Sequence, residues 1–189
     1  MTIAIVSMQT LYEGWAKYSL ATFRLKGGET VRREIEEHGR AVAVLPYNER
    51  LRTAILVRQF RAPVFVAAGE ADLIEAIAGL VEEPEPEDAA RREAHEEAGL
   101  ALKSLELVAA VWTMPGLSTE RMSLYLAAYD ISDRIADGGG AAQEQEYLEV
   151  VELPLAELAQ SADTGRLADM KTLALVQSLR LRRPDLFKL

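Results

Sequence analysis

Residues 79 to 100 read GLVEEPEPEDAARREAHEEAGL, and this stretch decides how the rest of the chain is interpreted. Pro86 suits the first turn of a helix, because its missing N–H needs no partner there. The acidic residues beside it favour the positive end of a helix dipole, and Gly99 suits the C-terminal cap. The stretch therefore predicts a helix over residues 86–98.

Three glutamates of this helix, Glu93, Glu96 and Glu97, form a candidate metal site. Residues four apart are neighbours on a helix, so Glu93 and Glu97 present their carboxylates together, with Glu96 one position around. Such carboxylates repel one another unless a cation lies between them. Hard oxygen ligands favour Mg²⁺, or Mn²⁺, and Arg92 is placed to hold one carboxylate in position. A solvated acidic helix face is the alternative that the glutamates alone would favour.

Strand patterns surround this helix on both sides. Alternating apolar residues over 16–25 and 29–37, joined by a turn that contains two glycines, predict a hairpin. Shorter apolar runs predict six further strands: 41–45, 53–57, 73–78 (ending at Gly79), 105–112, 121–129 and 148–153. A turn is expected between the first two of these, over 46–50, and helices near 154–161 and 170–182.

This order of elements predicts an α+β fold with a mixed sheet between helices. No long linker separates the first 40 residues from the rest. We therefore expect residues 1–40 to form an N-terminal antiparallel β accessory sheet, and residues 41–189 to form the main domain.

The composition of the 189 residues limits what the chain does. Thirty acidic against 21 basic side chains give a net charge of −9, which disfavours a nucleic-acid partner. With no cysteine and two histidines, disulfides, thiolate metal sites and multi-histidine sites are excluded. The apolar runs are too short to span a bilayer and no signal-peptide pattern is present, so no membrane partner and a cytoplasmic location are expected.

The stretch from Gly79 to Leu100 resembles the Nudix box, G-x5-E-x7-R-E-U-x-E-E-x-G-U, where U is a bulky aliphatic residue. Besides the residues at its two ends, the positions that match are Glu85, Arg92, Glu93, Glu96, Glu97 and Gly99. Two departures occur. Six residues instead of seven separate Glu85 from Arg92, and the small Ala94 fills an aliphatic position. The shortening leaves the three helix glutamates in register.

Other motifs make the chain similar to the nucleotide-sugar pyrophosphatases of the Nudix family, the GDP-mannose and ADP-ribose types. They are Val57-Arg58-Gln59-Phe60-Arg61; Glu75, Ala78 and Gly79; Pro115, Gly116 and Glu120; Gly138–Gly140 with residues 149–154; and Asp169, Lys171 and Thr172. The resemblance implies a homodimeric, Mg²⁺-dependent hydrolase of the pyrophosphate bond of a nucleoside diphosphate sugar. Its products would be a nucleoside monophosphate and a sugar phosphate.

The resemblance also assigns roles to individual residues. It implies metal ligands at the Ala78 carbonyl, Glu93, Glu97 and Glu146, with Glu144 as the competing loop carboxylate. Glu96, Glu97 and Glu146 are the expected catalytic carboxylates. The expected substrate-binding residues are Arg33, Arg61, Glu120 and Lys171, with Arg33 reaching the substrate of the partner subunit.

Some interpretations stay open at this point. Trp15 is suited to stack on a nucleobase or to anchor a dimer. His38 and His95 are interpreted as structural. The alternative to an enzyme is a non-catalytic nucleotide-sugar-binding sensor on the same fold, although such modules usually lose box carboxylates that this chain keeps.

Overall fold

The computed structural model describes residues 2–140 and 148–188. These residues divide into two compact units. The first unit comprises Met1–Arg40 and Val111–Met122, and the second comprises Ala41–Ala110 and Ser123–Leu189. The functional division between residues 1–40 and 41–189 stays a prediction.

The first unit contains a three-stranded antiparallel sheet in the order β1-β2-β3, counted over its described residues. The strands are β1 (Ala4–Glu13), β2 (Lys17–Arg24) and β3 (Thr30–Glu37). The predicted hairpin is confirmed as β2 and β3, and so is the N-terminal accessory sheet. No strand is predicted for β1, because two register shifts against β2 interrupt the alternation by which a strand is recognised.

A second, larger sheet has the order β10-β5-β4-β9-β8, with β6 paired to β5 and β7 paired to β4. Four helices accompany it in the described parts of the chain, which confirms the predicted α+β class. The strands are β4 (Arg40–Asn48), β5 (Thr53–Phe60), β6 (Asp72–Glu75), β7 (Ile77–Leu80), β8 (Glu106–Trp112), β9 (Arg121–Ala128) and β10 (Leu148–Pro154). The helices are α1 (Ala62–Ala68), α2 (Pro86–Ala98), α3 (Leu155–Asp163) and α4 (Met170–Arg182).

The core lies where α2 packs on this sheet. Four alanines of α2, at positions 89, 90, 94 and 98, are fully buried against apolar side chains of β4, β5 and β7. Small side chains let a helix lie close to a sheet without leaving voids. Ala94, the departure from the aliphatic position of the box, is therefore part of the close-packed face.

The helix predicted over 86–98 is confirmed as α2, and Gly99 ends it in the left-handed conformation at φ 66°. The two C-terminal helices are confirmed as α3 and α4. No helix is predicted for α1 from the sequence, because none of its seven residues is buried and no apolar stripe marks it. Within residues 2–140 and 148–188, every helix is too short or too polar to span a membrane.

The turn predicted over 46–50 is wrong in position, because β4 continues to Asn48 and the turn covers residues 49–52. The Asn48 side chain sets this turn by accepting hydrogen bonds from the backbone N–H groups of Arg50 and Leu51, at 3.1 and 2.9 Å. Pro46 is tolerated because β4 pairs with β7 up to Val44 and with β5 only from Tyr47. Its missing N–H falls between the two pairings.

The strand predicted over 73–78 is two strands, and the chain does not leave the sheet at Gly79. β6 pairs with β5, whereas β7 pairs with β4 and places Gly79 opposite Val42. Ala76 lies at the crossing, and its N–H donates to the Thr172 hydroxyl at 2.6 Å instead of to a strand. This switch between partners positions the start of the box segment next to α4.

Candidate active site

The approach of α2 to β7 places two carboxylates of the predicted metal site. Glu93 and Glu97 are buried, with 7% and 1% of their surface exposed. A Cβ at position 79 would overlap the Glu93 carboxylate, so a larger residue there would displace that side chain. Ala78 directly precedes this glycine, and its carbonyl therefore lies at the same approach. The predicted ligands Ala78, Glu93 and Glu97 are thus carried by two elements that meet at Gly79.

Arg92 organises the carboxylates of this helix in what we call the Arg92 cluster (Arg92, Glu83, Glu93 and Glu96). Its Nε donates to Glu83 at 2.7 Å, and its Nη1 lies 2.9 Å from both Glu93 and Glu96. Its Nη2 donates to the Leu80 carbonyl at 3.0 Å. Burial opposes the charged form, but the carboxylates outweigh it and raise the pKa of Arg92 above its ordinary value. This contact agrees with the prediction that Arg92 holds a carboxylate of the site.

The donor set fits a hard divalent cation. Two buried carboxylates and a nearby backbone carbonyl are the oxygen ligands that Mg²⁺ and Mn²⁺ take from proteins. In the part of the chain that the structure describes, no three acidic or histidine side chains lie close enough to form a complete metal site. Glu144 and Glu146, the candidates for a further ligand, lie outside the described residues.

The segment that leads to those two residues begins against α2. The backbone N–H groups of Gly139 and Gly140 donate to the carbonyls of Glu97 and Glu96, at 2.9 and 3.2 Å. These bonds satisfy carbonyls at the C-terminal end of α2 that the helix itself leaves without a donor. The chain therefore passes residue 140 beside the two catalytic candidates of α2.

A second group of charges joins two predicted substrate-binding residues, Arg61 and Lys171. We call it the Glu75 cluster (Glu75, Arg61, Lys171 and Asp169). The Arg61 guanidinium donates to both oxygens of Glu75, from Nε at 2.7 Å and from Nη2 at 3.0 Å. Lys171 donates from Nζ to Glu75 and, at 3.0 Å, to Asp169. Asp169 also caps α4 by accepting the Thr172 N–H at 3.0 Å.

The charges of this cluster stabilise one another. Burial alone would raise the pKa of Glu75, but the hydrogen bonds from Arg61 and the charge of Lys171 lower it below its ordinary value. Burial likewise opposes the charged form of Arg61, and its bonds to Glu75 raise the pKa of the guanidinium. Both partners are therefore ionised at neutral pH.

The second unit also contains a cavity of about 430 Å³. Some of its lining residues are close in sequence to Arg61 and Glu75. Its walls come from the ends of β5, β6 and β10 together with Gly139. This volume lies within the range of small-molecule sites, roughly 300–1,000 Å³. Because Gly139 is bonded to the end of α2, the cavity wall is continuous with the acidic helix.

In the first unit, the predicted substrate contact Glu120 belongs to the His38 cluster (His38, Glu36, Glu120 and Trp15). The His38 ring bonds Glu120 from Nε2 at 2.7 Å and Glu36 from Nδ1. Carboxylates only accept, so these two contacts require a proton on each ring nitrogen. Trp15 stacks on this imidazole with ring centroids 4.9 Å apart, while 79% of its surface is exposed.

Arg33, the remaining predicted substrate contact, is exposed on β3 opposite Ala21 of β2. Its Nη1 donates to the carbonyl of its neighbour Arg32 at 2.8 Å. The structure therefore brings Arg61 together with Lys171 through Glu75, and it places the Glu93 carboxylate against Gly79, the residue after Ala78. Glu75, Glu36 and His38 were not predicted as site residues, although Glu75 lies in a motif that the sequence displays.

The chain belongs to the Nudix family, because the family's domain model, described as a NUDIX domain, matches residues 37–175. This finding confirms the predicted family and fold. The similarity also extends beyond the domain model. The chain is 37% identical over 187 residues to the GDP-mannose pyrophosphatase of Cronobacter sakazakii, with 96% of this chain and 97% of that protein covered.

Two further comparisons agree with this assignment. The chain is 39% identical over 185 residues to the GDP-mannose pyrophosphatase of Pectobacterium atrosepticum, covering 95% of each chain. A solved structure of an ADP compounds hydrolase superposes with a TM-score of 0.78 at 18% identity, covering 98% of this chain and 96% of that one. At this identity the structural comparison shows the fold alone.

Proposed function

We propose that this protein is a Mg²⁺-dependent Nudix hydrolase that cleaves the pyrophosphate bond of a nucleoside diphosphate sugar. The observation that carries the proposal is the burial of Glu93 and Glu97 on α2, with Glu93 against Gly79 and with Arg92 in contact with Glu93 and Glu96. The names of the similar proteins favour GDP-mannose as the substrate, with an ADP-linked sugar as the second choice. The products would be a nucleoside monophosphate and a sugar phosphate.

In this proposal Glu93, Glu97 and the Ala78 carbonyl bind the metal from the side of the sheet and helix. Glu146, or in its place Glu144, would supply a further ligand. A bound Mg²⁺, or Mn²⁺, neutralises developing charge on the phosphoryl oxygens and favours deprotonation of the attacking water. Arg92 keeps the α2 carboxylates oriented by its contacts with Glu93 and Glu96.

The chain's own residues bind the substrate and take the proton. Arg61 offers a planar guanidinium to a phosphate, and Lys171 adds a second positive charge next to it. Arg33 and Glu120 are proposed as further contacts of the substrate. A carboxylate near the attacking water accepts its proton, for which Glu146, Glu96 and Glu97 are the candidates.

A homodimer is part of the proposal. Apolar side chains along residues 3–12 leave between 48% and 63% of their surface exposed, as Ile5, Met8, Leu11 and Tyr12 illustrate. Exposed apolar patches of this kind mark interaction surfaces. Sedimentation at micromolar concentration is expected to give about twice the 20.8 kDa of one chain. A stable monomer would contradict this part of the proposal.

The decisive experiment is an assay of a nucleotide-sugar panel with coupled phosphatase, which detects the phosphomonoesters that hydrolysis exposes. We expect turnover in Mg²⁺ or Mn²⁺, with GDP-mannose among the best substrates, and none in EDTA. Turnover in metal-free buffer would contradict the carboxylate metal site. Tight binding without turnover, on the other hand, would favour the sensor. The cytoplasmic location is not addressed by this experiment and stays a prediction.

A further inference from the structure

Glu75 is a buried carboxylate that accepts three hydrogen bonds, and the roles proposed above leave it without a function. Only 2% of its side chain is exposed. One oxygen accepts from Arg61 Nε, and the other accepts from Arg61 Nη2 and from Lys171 Nζ. A buried carboxylate is costly unless it is paired and hydrogen-bonded in this way.

The two cations of the cluster are more exposed to solvent than its carboxylate. The Arg61 side chain is 39% exposed, whereas Lys171 is 12% exposed and Glu75 is almost fully enclosed. The cluster therefore has a buried anion on one side and an accessible guanidinium on the other. Asp169 is bonded to Lys171, so the four side chains carry two positive and two negative charges.

The hydrogen bonds of Arg61 leave part of the guanidinium available. A guanidinium has five N–H groups, and the pair formed by Nε and Nη2 is one of its planar edges. Glu75 occupies that edge. Among residues 2–140 and 148–188, Nη1 of Arg61 has no hydrogen-bond partner. The outer edge, formed by Nη1 and Nη2, can therefore bind a phosphate while the inner edge stays on Glu75.

We propose that Glu75 is a positioning residue that fixes Arg61 and Lys171 as a preset subsite for a substrate phosphate. The proposal rests on the function proposed above, since it assigns the phosphate that the subsite binds to a pyrophosphate substrate. It predicts that Arg61 keeps its inner edge on Glu75 in the complex. Lys171, bonded to the same carboxylate, is kept at a fixed distance from Arg61 despite their like charges.

If Glu75 acted only through its charge, the neutral variant Glu75→Gln would change KM instead of kcat. Removing an anion beside Arg61 would strengthen the attraction of the subsite for phosphate in the ground state and in the transition state alike. Such uniform binding lowers KM without changing kcat. Loss of position acts on kcat, because a misplaced contact in the reacting complex costs up to about a hundredfold.

The first test compares Glu75→Gln with the wild type under Mg²⁺ and saturating nucleotide sugar. We expect kcat to fall about ten- to a hundredfold, while KM changes less than about threefold. A lower KM at unchanged kcat would overturn the proposal in favour of the electrostatic role. Glu106→Gln is the matched control, because Glu106 also pairs with an arginine, Arg182 at 2.8 Å, but on the surface. Its kinetics should equal those of the wild type.

Glu75→Asp guards against a folding failure, since it keeps the buried charge but shortens the arm that carries it. A positioning role predicts a loss of kcat here as well, at a thermal midpoint close to that of the wild type. Wild-type kcat in a Glu75→Asp protein would contradict the proposal. In an Arg61→Ala background, Glu75→Gln should lower kcat by a smaller factor than in the wild type, because only its action through Lys171 remains. Additive losses would also overturn it.

A spectroscopic measurement tests the subsite without turnover. In ¹⁵N spectra recorded in EDTA, the Arg61 Nε–H should exchange slowly with solvent, since it donates to a buried carboxylate, and Arg61→Lys assigns its signal. Adding inorganic pyrophosphate should shift the Nη signals and leave the Nε–H protected. Rapid exchange of this N–H in the wild type would overturn the proposal. If the wild type hydrolyses no nucleotide sugar but these signals behave as expected, the proposed function fails and the positioning role stands.

Discussion

The Arg92 cluster and the Glu75 cluster arrange charge in opposite ways within the second unit. In the Arg92 cluster one guanidinium is shared by three carboxylates, those of Glu83, Glu93 and Glu96. In the Glu75 cluster one buried carboxylate is shared by Arg61 and Lys171. The first gathers negative charge around a single cation, whereas the second, with Asp169 included, is balanced.

The two arrangements suit two different tasks in the proposed reaction, which are metal binding and phosphate binding. A region with more carboxylates than cations suits a divalent metal, and its arginine limits the repulsion until the metal binds. A balanced cluster does not attract a metal, yet it presents cations to phosphate oxygens from a fixed support. Substitutions that change one cluster and leave the other intact test this division.

The largest effect is expected from Glu97→Gln, on the carboxylate-rich side. The substitution removes a charge but keeps the shape of the side chain, so kcat should fall by several orders of magnitude while the fold is retained. The measurement is kcat in Mg²⁺, with circular dichroism to check folding. Glu87→Gln is the control on the same helix, because Glu87 is exposed and pairs only loosely with Arg91, at 3.5 Å. Near-normal kcat in folded Glu97→Gln would show that the site is misassigned.

A second prediction concerns the further metal ligand or general base that we expect within residues 141–147. Glu146→Gln should lower kcat about a hundredfold or more, the usual range for a general base, and raise KM far less. Glu144→Gln should do much less. A reversed result would assign the role to Glu144. If neither variant matters, the water is activated by a carboxylate of α2, Glu96 or Glu97. The accompanying prediction, that metal and substrate change the order of residues 138–145, falls in part on residues 141–145, which lie outside the described residues. Hydrogen exchange with and without metal and nucleotide sugar checks it.

In the Glu75 cluster, Arg61→Lys should raise KM about tenfold, which corresponds to about 1.4 kcal/mol of binding free energy. Lysine keeps the charge but loses the two planar edges with which arginine can bind Glu75 and a phosphate together. The measurement is KM for the nucleotide sugar. Arg180→Lys is the control, because Arg180 is paired on the surface with Asp163 at 2.6 Å. An unchanged KM together with an unchanged kcat would mean that only the charge of Arg61 matters, and the contrast between the two clusters would not hold.

Regular patterns explain which parts of the fold could be predicted from the sequence. α2 was predicted because Pro86 and Gly99 mark its ends, and β2 and β3 were predicted because their residues alternate. The bulged β1 has no such alternation. The position of the turn after β4 depends on one side chain, Asn48, whose hydrogen bonds outweigh the usual preference of proline for turns.

The proximity of Glu93 to Glu97 could be predicted because both lie on one helix, whereas the contacts of the Glu75 cluster could not. Glu75 is 14 residues from Arg61 and 96 from Lys171 along the chain, and no local periodicity relates the three. Only the switch from β6 to β7, beside the start of α4, brings them together. The same applies to His38, whose partner Glu120 is 82 residues away.

The smallest effect is expected at the His38 cluster, which repeats the Arg92 arrangement in the first unit with a cation that titrates. Burial of the ring favours its neutral form, but the hydrogen bonds with Glu36 and Glu120 outweigh it and raise the pKa of His38 above 6.5. A raised folded-state pKa means that the folded protein binds the proton more tightly than the unfolded chain does. The stabilisation is therefore complete below about pH 6.5, the unfolded value, and is lost as pH rises through the folded-state pKa.

A neutral imidazole has one N–H, so it can donate to Glu36 or to Glu120 but not to both. The free energy of unfolding of the wild type should therefore exceed that of His38→Gln most at pH 6, and the difference should shrink towards pH 9. Urea unfolding of both proteins at a series of pH values measures this difference. His95→Gln is the control, because His95 is exposed on α2 and its loss should leave the pH dependence due to His38 unchanged. A difference between wild type and His38→Gln that stays constant with pH would mean that folding leaves the pKa of His38 unchanged. The His38 cluster would then differ from the Arg92 cluster, because its two carboxylates would not stabilise the cation between them by more than burial opposes it.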